Sequence, residues 1–272
     1  MKPSRTLRST WHRWTAPAIE EDDIVAALRG LPLHPPRLLL VHGSLSACGR
    51  IRGGAATVIR ALRAWNAPGA LAMPTHTYCY PSAGETCPVF DTRRTQSVVG
   101  AISEEFRRQP GVRRSLHPTH SLACDGADAE AIIAGHEDCD TPCGPGTPYE
   151  RLIERDAAVL MFGATLNAYT FFHTAEDAAA VPYLYESEPV TLMWRDLDGT
   201  VREMSMRRQD MSVARRFQEM DGWLQERGLL HRVTLGCGEL LLLPHSREVN
   251  DAVVERLRAD SFFLADPVPA AP

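Results

Sequence analysis

His173 and Glu176 stand three residues apart in the run 162–183, FGATLNAYTFFHTAEDAAAVPY. In a helix that spacing puts both side chains on one face, close enough to interact. An imidazole beside a carboxylate can serve as a general base, because the acid fixes the tautomer and raises the ring's basicity. An ordinary helix start with a satisfied histidine has the same spacing, so spacing alone leaves both readings open. The preceding apolar run, Ala157 to Phe162, reads as a buried strand ending at Gly163. A loop with Asn167 and Thr170 then leads into the helix that carries the pair.

Three other loops are dense in groups that bind polar ligands. Residues 42–55, HGSLSACGRIRGGA, offer Ser44, Ser46, Gly49, Gly53 and Gly54 ahead of a helix. Small residues and free helix N–H groups can cradle phosphates, and a plain turn explains them equally well. The run is neither a Walker A loop nor a GxGxxG fingerprint. Residues 73–78, MPTHTY, bring Thr75, His76 and Thr77 to a strand end; the hydroxyls suit a carbonyl or phosphate, although satisfying turn backbone is the simpler use. Residues 113–121, RRSLHPTHS, gather Arg113, Arg114, Ser115, His117 and His120, either as a phosphate site or as a solvated basic loop.

His136, Cys139 and Cys143 invite a metal check, but a second clustered pair is missing and the segment is a Pro/Gly loop. They read as buried or incidental, and no metal is expected. HExxH, GxSxG and CxxC patterns do not occur. Phosphate-suited loops, a base dyad and no nucleophile elbow together lean toward transfer from a phosphate-bearing donor.

The elements that must position these groups read as one large α/β domain over residues 19–267, preceded by a basic arm over residues 1–18 with two tryptophans. The strand–loop–helix–strand run from Arg37 to Met73 predicts a βαβ unit, and hence a central mixed, mainly parallel sheet flanked by helices. Further helices are expected at 98–109 and 211–227, and a hairpin at 189–196 and 200–206 around Asp198-Gly199. The stretch 75–96 reads as an irregular loop past a strand end, where α/β folds keep their ligands. A net charge of −5 supplies no global field for nucleic acid. Seven scattered cysteines suggest a reducing compartment. No secretory signal or membrane-length apolar run is found, so a cytoplasmic protein is expected.

VHGSLSACG, GGA, MPTHTY, Phe90-Asp91, Gly100 with FRRQPGVRRSLHPTHS, GPGTPYERL and LNAYTFFHTAED…PY follow one another over roughly residues 38–185. In that order they resemble the aminoglycoside 3-N-acetyltransferase family, an antibiotic-resistance family unrelated in fold to the GNAT enzymes. The resemblance implies a single α/β domain that uses acetyl-CoA to acylate an amine by direct transfer. It makes His173 the general base, Glu176 its supporting carboxylate and Thr170 a hydroxyl near the thioester carbonyl. It assigns Ser44, Leu45, Ser46 and Gly49, with Thr75 and Thr77, to the loops that meet CoA, and Arg114, Ser115 and His117 to the block around the cofactor. Asn167, Asp177 and Tyr78 are named as candidates to meet the acceptor.

Gly43 departs from the family's usual serine, and Thr147 from its usual serine before proline. Past Tyr183 the acidic residues Asp196, Asp198, Asp210, Glu219 and Asp221 alternate with Arg202, Arg207, Arg208, Arg215 and Arg216. That mixture is more cationic than a polycationic aminoglycoside favours. It keeps open a biosynthetic acyl-CoA N-acyltransferase acting on a natural-product amine, provided those arginines face the acceptor. A non-catalytic CoA-binding relative is the remaining rival. The partners expected are the amine and the acyl-CoA, with no nucleic acid or membrane; the oligomeric state is open, a homodimer among the options.

Overall fold

The computed structural model describes residues 17–82 and 86–267, so the arm expected over residues 1–18 lies almost entirely outside the described residues. The first half of the chain runs α1 (Glu21–Arg29), β1 (Leu38–Gly43), α2 (Gly54–Asn66), β2 (Ala70–Pro74), β3 (Val89–Asp91), α3 (Ala101–Phe106), β4 (Arg113–Arg114), β5 (Leu122–Cys124) and α4 (Ala129–Ile133). The second half adds α5 (Pro148–Glu154), β6 (Ala158–Phe162), α6 (Phe171–Ala178), β7 (Tyr185–Arg195), β8 (Val201–Gln209), α7 (Met220–Glu226), β9 (His231–Leu235), β10 (Gly238–Leu243) and α8 (Ser246–Ala259).

An apolar residue at nearly every position of β1, β6 and β10 requires cover on both sheet faces. Alternation supplies it: Leu38, Leu40, Val159, Met161, Leu241 and Leu243 enter one core, while Leu39, Val41, Leu160, Phe162, Leu240 and Leu242 enter the other. Helices α1, α2 and α3 close the second core with Ile24, Leu28, Val58, Leu62, Ile102 and Phe106. Helices α4, α5, α6 and α8 close the first with Ile132, Tyr149, Leu152, Phe172, Val249 and Val253.

The seven-stranded sheet has the order β4-β5-β2-β1-β6-β10-β9. It is the expected mixed sheet flanked by helices, parallel at its centre, where β1 lies between β2 and β6, and antiparallel on both flanks. The β9–β10 flank is antiparallel by necessity, because a two-residue connection, Gly236-Cys237, cannot join parallel strands. A second sheet, β3-β7-β8, surrounds Phe90, Leu192, Trp194, Met204 and Met206.

The hairpin is longer than its alternation suggested, 185–195 and 201–209. Two short strands, β3 and β4, occupy stretches read as loops. The helix expected at 98–109 spans only Ala101–Phe106, opened by Gly100 at φ 118. The helix expected at 211–227 shrinks to α7 behind a 3-10 turn at Phe217–Glu219. Residues 210–216 are irregular instead, because the Arg215 side chain takes the carbonyls of Asp210 and Val213.

The outcome for function is local. The carboxyl ends of β1 and β6 meet at a Gly43–Gly163 bridge, and the loops after both strands leave from the same edge. Crevices outside the carboxyl ends of parallel strands are where open α/β sheets bind ligands.

Candidate active site

Helix α6 is anchored by Phe171, Phe172 and Ala175, all about 1% exposed, and packs on α8. On the same helix His173 keeps 21% of its side chain exposed, while Glu176 is fully buried. Nδ1 of His173 lies 2.7 Å from Glu176 Oε2. With the carboxylate ionised, and so only accepting, and the ring neutral, the proton would sit on Nδ1 and leave Nε2 its lone pair. The other oxygen, Oε1, accepts from Arg215 Nε at 3.1 Å.

His173 opens onto a cavity of about 300 Å³ with Thr170, Tyr169, Asn167, Tyr78, His42, His76, His120 and Gln209 in its wall. A second cavity, of about 910 Å³, runs along Ser44, Leu45, Ser46, Gly49 and Arg50. Gly43, Val99, Ala164 and Ala168 line both, so the two spaces join at the ends of β1 and β6. Two glycines make the junction possible. A Cβ at Gly43 would lie 2.8 Å from Ile102 Cδ1, and one at Gly163 would lie 2.9 Å from Ser44 O at a φ of 65°. The departure at Gly43 therefore accompanies close packing of Ile102 against the loop.

Of the residues expected at the site, His173, Thr170, Asn167 and Tyr78 line the smaller cavity, and Ser44, Leu45, Ser46 and Gly49 line the groove. Asp177 is elsewhere: it accepts the Tyr185 hydroxyl proton and borders neither space. Thr75, Thr77, Arg114, Ser115 and His117 also stand apart from the groove, and each is used inside the protein. Arg114 donates to Thr75 O at 2.8 Å, Thr95 O at 2.7 Å and Thr92 O at 3.2 Å, and its Nε reaches Thr75 Oγ1 and Ser121 Oγ. Thr77 donates to Pro118 O. Ser115 Oγ pairs with His136 Nδ1 at 2.9 Å, and His117 Nδ1 accepts from His120 N at 3.0 Å. Arg114 and Ser115 do edge a third space of about 690 Å³, with Arg93, Arg108 and Arg113.

Sequence reasoning passes over His42 and Gln209 and names Arg215 only within the mixed stretch past Tyr183; the signal for all three is three-dimensional, since Arg215 is 39 residues from its carboxylate. It also leaves the arginines past residue 200 open. Arg202 pairs with Asp196, Arg208 with Glu186, and Arg216 with Glu219 and Asp266; Arg207 stacks on Tyr185. None of the five lines the cavity beside His173, and among the described residues no Asp or Glu does. No three His, Cys, Asp or Glu side chains converge as a metal site among the described residues. His136 instead spends its ring nitrogens on Ser115 and Pro142 O.

The cavity wall continues inward as a cluster of buried histidines. Tyr149 gives its one proton to His120 O, so His76 Nε2, 2.8 Å away, must donate to Tyr149. Burial pushes His42, His76 and His136 down to about 3, and His117 and His120 well below the ordinary imidazole value. The unfolded chain protonates these rings near pH 6.5, whereas the folded chain refuses the protons until far lower pH. Stability should therefore fall as pH drops from 6.5 toward 3, by up to about 1.4 kcal/mol per pH unit for each histidine. Thermal melts between about pH 7 and pH 5 check this; a flat Tm across that window would contradict it.

A family model described as aminoglycoside 3-N-acetyltransferase matches residues 40–258. Aminoglycoside N(3)-acetyltransferase III from Salmonella sp is 34% identical over 174 residues, 58% of this chain and 60% of its own length. The match thus spans about 60% of that relative. Aminoglycoside N(3)-acetyltransferase IV, also from Salmonella sp, is 30% identical over 248 residues, 90% of each chain. The crystal structure of a mutant aminoglycoside acetyltransferase AAC(3)-IVa in complex with a gentamicin superposes with a TM-score of 0.80 at 28% identity, covering 93% of both chains. With the joined cavities and the His173–Glu176 pair in the matched span, the chain belongs to the aminoglycoside 3-N-acetyltransferase family.

Proposed function

We propose that this chain transfers the acetyl group of acetyl-CoA directly to an amino group of an aminoglycoside or related amine, with His173 as general base. The observation that carries the reading is the hydrogen-bonded His173–Glu176 pair, set in a cavity that joins a long groove at one edge of the sheet. The groove fits an extended thioester arm: its wall of Leu45, Ile51 and small residues is largely apolar, with Arg50 as its cation. Acetyl-CoA is the co-substrate this family membership implies.

Entry along the groove brings the thioester to the Gly43–Ala164 junction and leaves the smaller cavity for the acceptor. As the amine attacks the carbonyl, Nε2 of His173 takes its proton, and buried Glu176 stabilises the imidazolium. The C–N bond forms, the C–S bond breaks, and the proton leaves with the CoA thiol. Thr170 heads α6 without capping it by its side chain, so its hydroxyl is available to the developing oxyanion. No cysteine lines the acceptor cavity among the described residues, and burial pushes the nearby Cys143 thiol far up. These features favour direct transfer over an acyl-enzyme, and the intact pair speaks against a non-catalytic relative.

One observation favours a second reading: the described wall of the cavity carries no carboxylate, whereas polycations are usually gripped by acidic groups. A biosynthetic N-acyltransferase acting on a less charged natural-product amine would suit such a wall. Incubating the protein with acetyl-CoA and a panel of gentamicin, apramycin and singly charged amines, with products weighed by mass spectrometry, separates the two. Acetylated gentamicin or apramycin supports the first reading. Acetylation confined to singly charged amines supports the second, and no acetylated product from any acceptor overturns the first and moves the second to other acyl donors.

A further inference from the structure

The ion pair beneath His173 extends beyond Glu176. Arg215 is 12% exposed in its side chain, lies over the Tyr183 ring at 4.9 Å, and gives Nε to Glu176 Oε1 at 3.1 Å. Its Nη1 bonds Asp210 O at 2.9 Å and Val213 O at 2.6 Å. Gln209 and Met211, which flank Asp210, both line the acceptor cavity. One guanidinium therefore touches the acid behind the base and the loop that walls the acceptor.

We infer that Arg215 is a positioning residue that keeps Glu176 anionic, thereby holding His173 in the Nδ1–H tautomer, and that folds loop 210–215 into the acceptor wall. This deepens the proposed function and rests on it.

A fully buried carboxylate needs compensation for lost hydration, and a neutral imidazole supplies only one hydrogen bond. The charge must come from another group. Glu176 is faced by His173 from its own helix, by Arg215 from the loop, and by Tyr183 and Cys143 from neighbouring segments. Burial pushes both of the latter up, so they stay neutral. Asp177, the next residue, is taken by Tyr185. Arg215 is thus the cation paired with Glu176. Without it the histidine–carboxylate pair as a unit would hold one proton more tightly. Whether that proton rests on the carboxyl or on Nε2, the lone pair needed at Nε2 is lost: a protonated Glu176 donates to Nδ1 and forces the proton to the other nitrogen.

The test compares wild type, Arg215→Met and Arg215→Lys in acetyl-CoA turnover with gentamicin from about pH 5 to 9, alongside ¹⁵N NMR of the His173 ring without substrate. Arg215→Met should move the acidic limb of kcat/KM upward by about 1–3 pH units and abolish the pure Nδ1–H signature at neutral pH. Arg215→Lys, which keeps a cation but not the double carbonyl grip, should hold the limb near wild type while raising the acceptor KM. If the Arg215→Met limb and ring signature both match wild type, Arg215 is structural only and the inference is overturned. If wild type does not acetylate gentamicin, the aminoglycoside reading fails, and the ring signature still decides the role of Arg215. An Arg215→Met protein that does not fold passes the decision to Arg215→Lys: a limb moved by that variant, in which the charge is retained, overturns the inference.

Discussion

Replacing His173 by alanine is expected to lower kcat by about 10²–10⁴, the usual contribution of a positioned general base. Acetyl-CoA affinity should stay within about twofold, because His173 borders the acceptor cavity and not the groove. Stability should fall by about 1–2 kcal/mol, because the ring is partly exposed and makes only an edge contact with Phe217 at 5.1 Å, yet its loss leaves buried Glu176 Oε2 without its partner. Steady-state turnover with calorimetric titration of acetyl-CoA reads both quantities. A variant that keeps turnover within about threefold would assign the base elsewhere. A variant that loses cofactor binding in parallel would make His173 part of the groove.

Replacing Arg114 by alanine should act on stability. Its guanidinium, which burial pulls down to about 9 but leaves charged at neutral pH, holds three carbonyls and sits over Phe90 at 4.9 Å. The variant strands those carbonyls, at a net cost of about 3 kcal/mol. For a chain of this size that lowers Tm by about 5 °C. Calorimetry with an acetyl-CoA titration below the transition checks it. Unchanged Tm with about tenfold weaker acetyl-CoA binding would instead return Arg114 to the cofactor.

The two substitutions mark where sequence was legible. The pair His173 and Glu176 could be read because a helix repeats every 3.6 residues, so a local spacing becomes a contact. The strands β1 and β6 could be read because unbroken apolar runs must be covered on both faces. The loop at 42–55 stayed open on its residues alone, as a phosphate cradle or a plain turn, and only the family resemblance turned it toward CoA. The block at 113–121 was harder: Arg114, Ser115 and His117 have the types that bind phosphate, yet the same types satisfy buried carbonyls and amides. Only the fold decides which use applies. Arg114 lies opposite Thr75, 39 residues away, so no local pattern could show that its donors were already engaged. Arg215 shows the converse. Surrounded by charges of both signs, it read as part of a mixed stretch open to several uses, whereas a contact across 39 residues brings it to Glu176. The shortened helix at 220–226 has the same origin, because Arg215 gathers two carbonyls that a longer helix would have used.

The most direct test is the position of CoA itself. Its arm is expected along Ser44, Leu45, Ser46 and Gly49, with the sulfur at the junction of Gly43, Ala164 and Ala168 beside His173. A crystal structure with CoA should show density there and leave the space edged by Arg93, Arg113 and Arg114 free of it. CoA bound against those arginines, away from His173, would contradict this assignment, because no thioester held there could be reached by an amine in the His173 cavity.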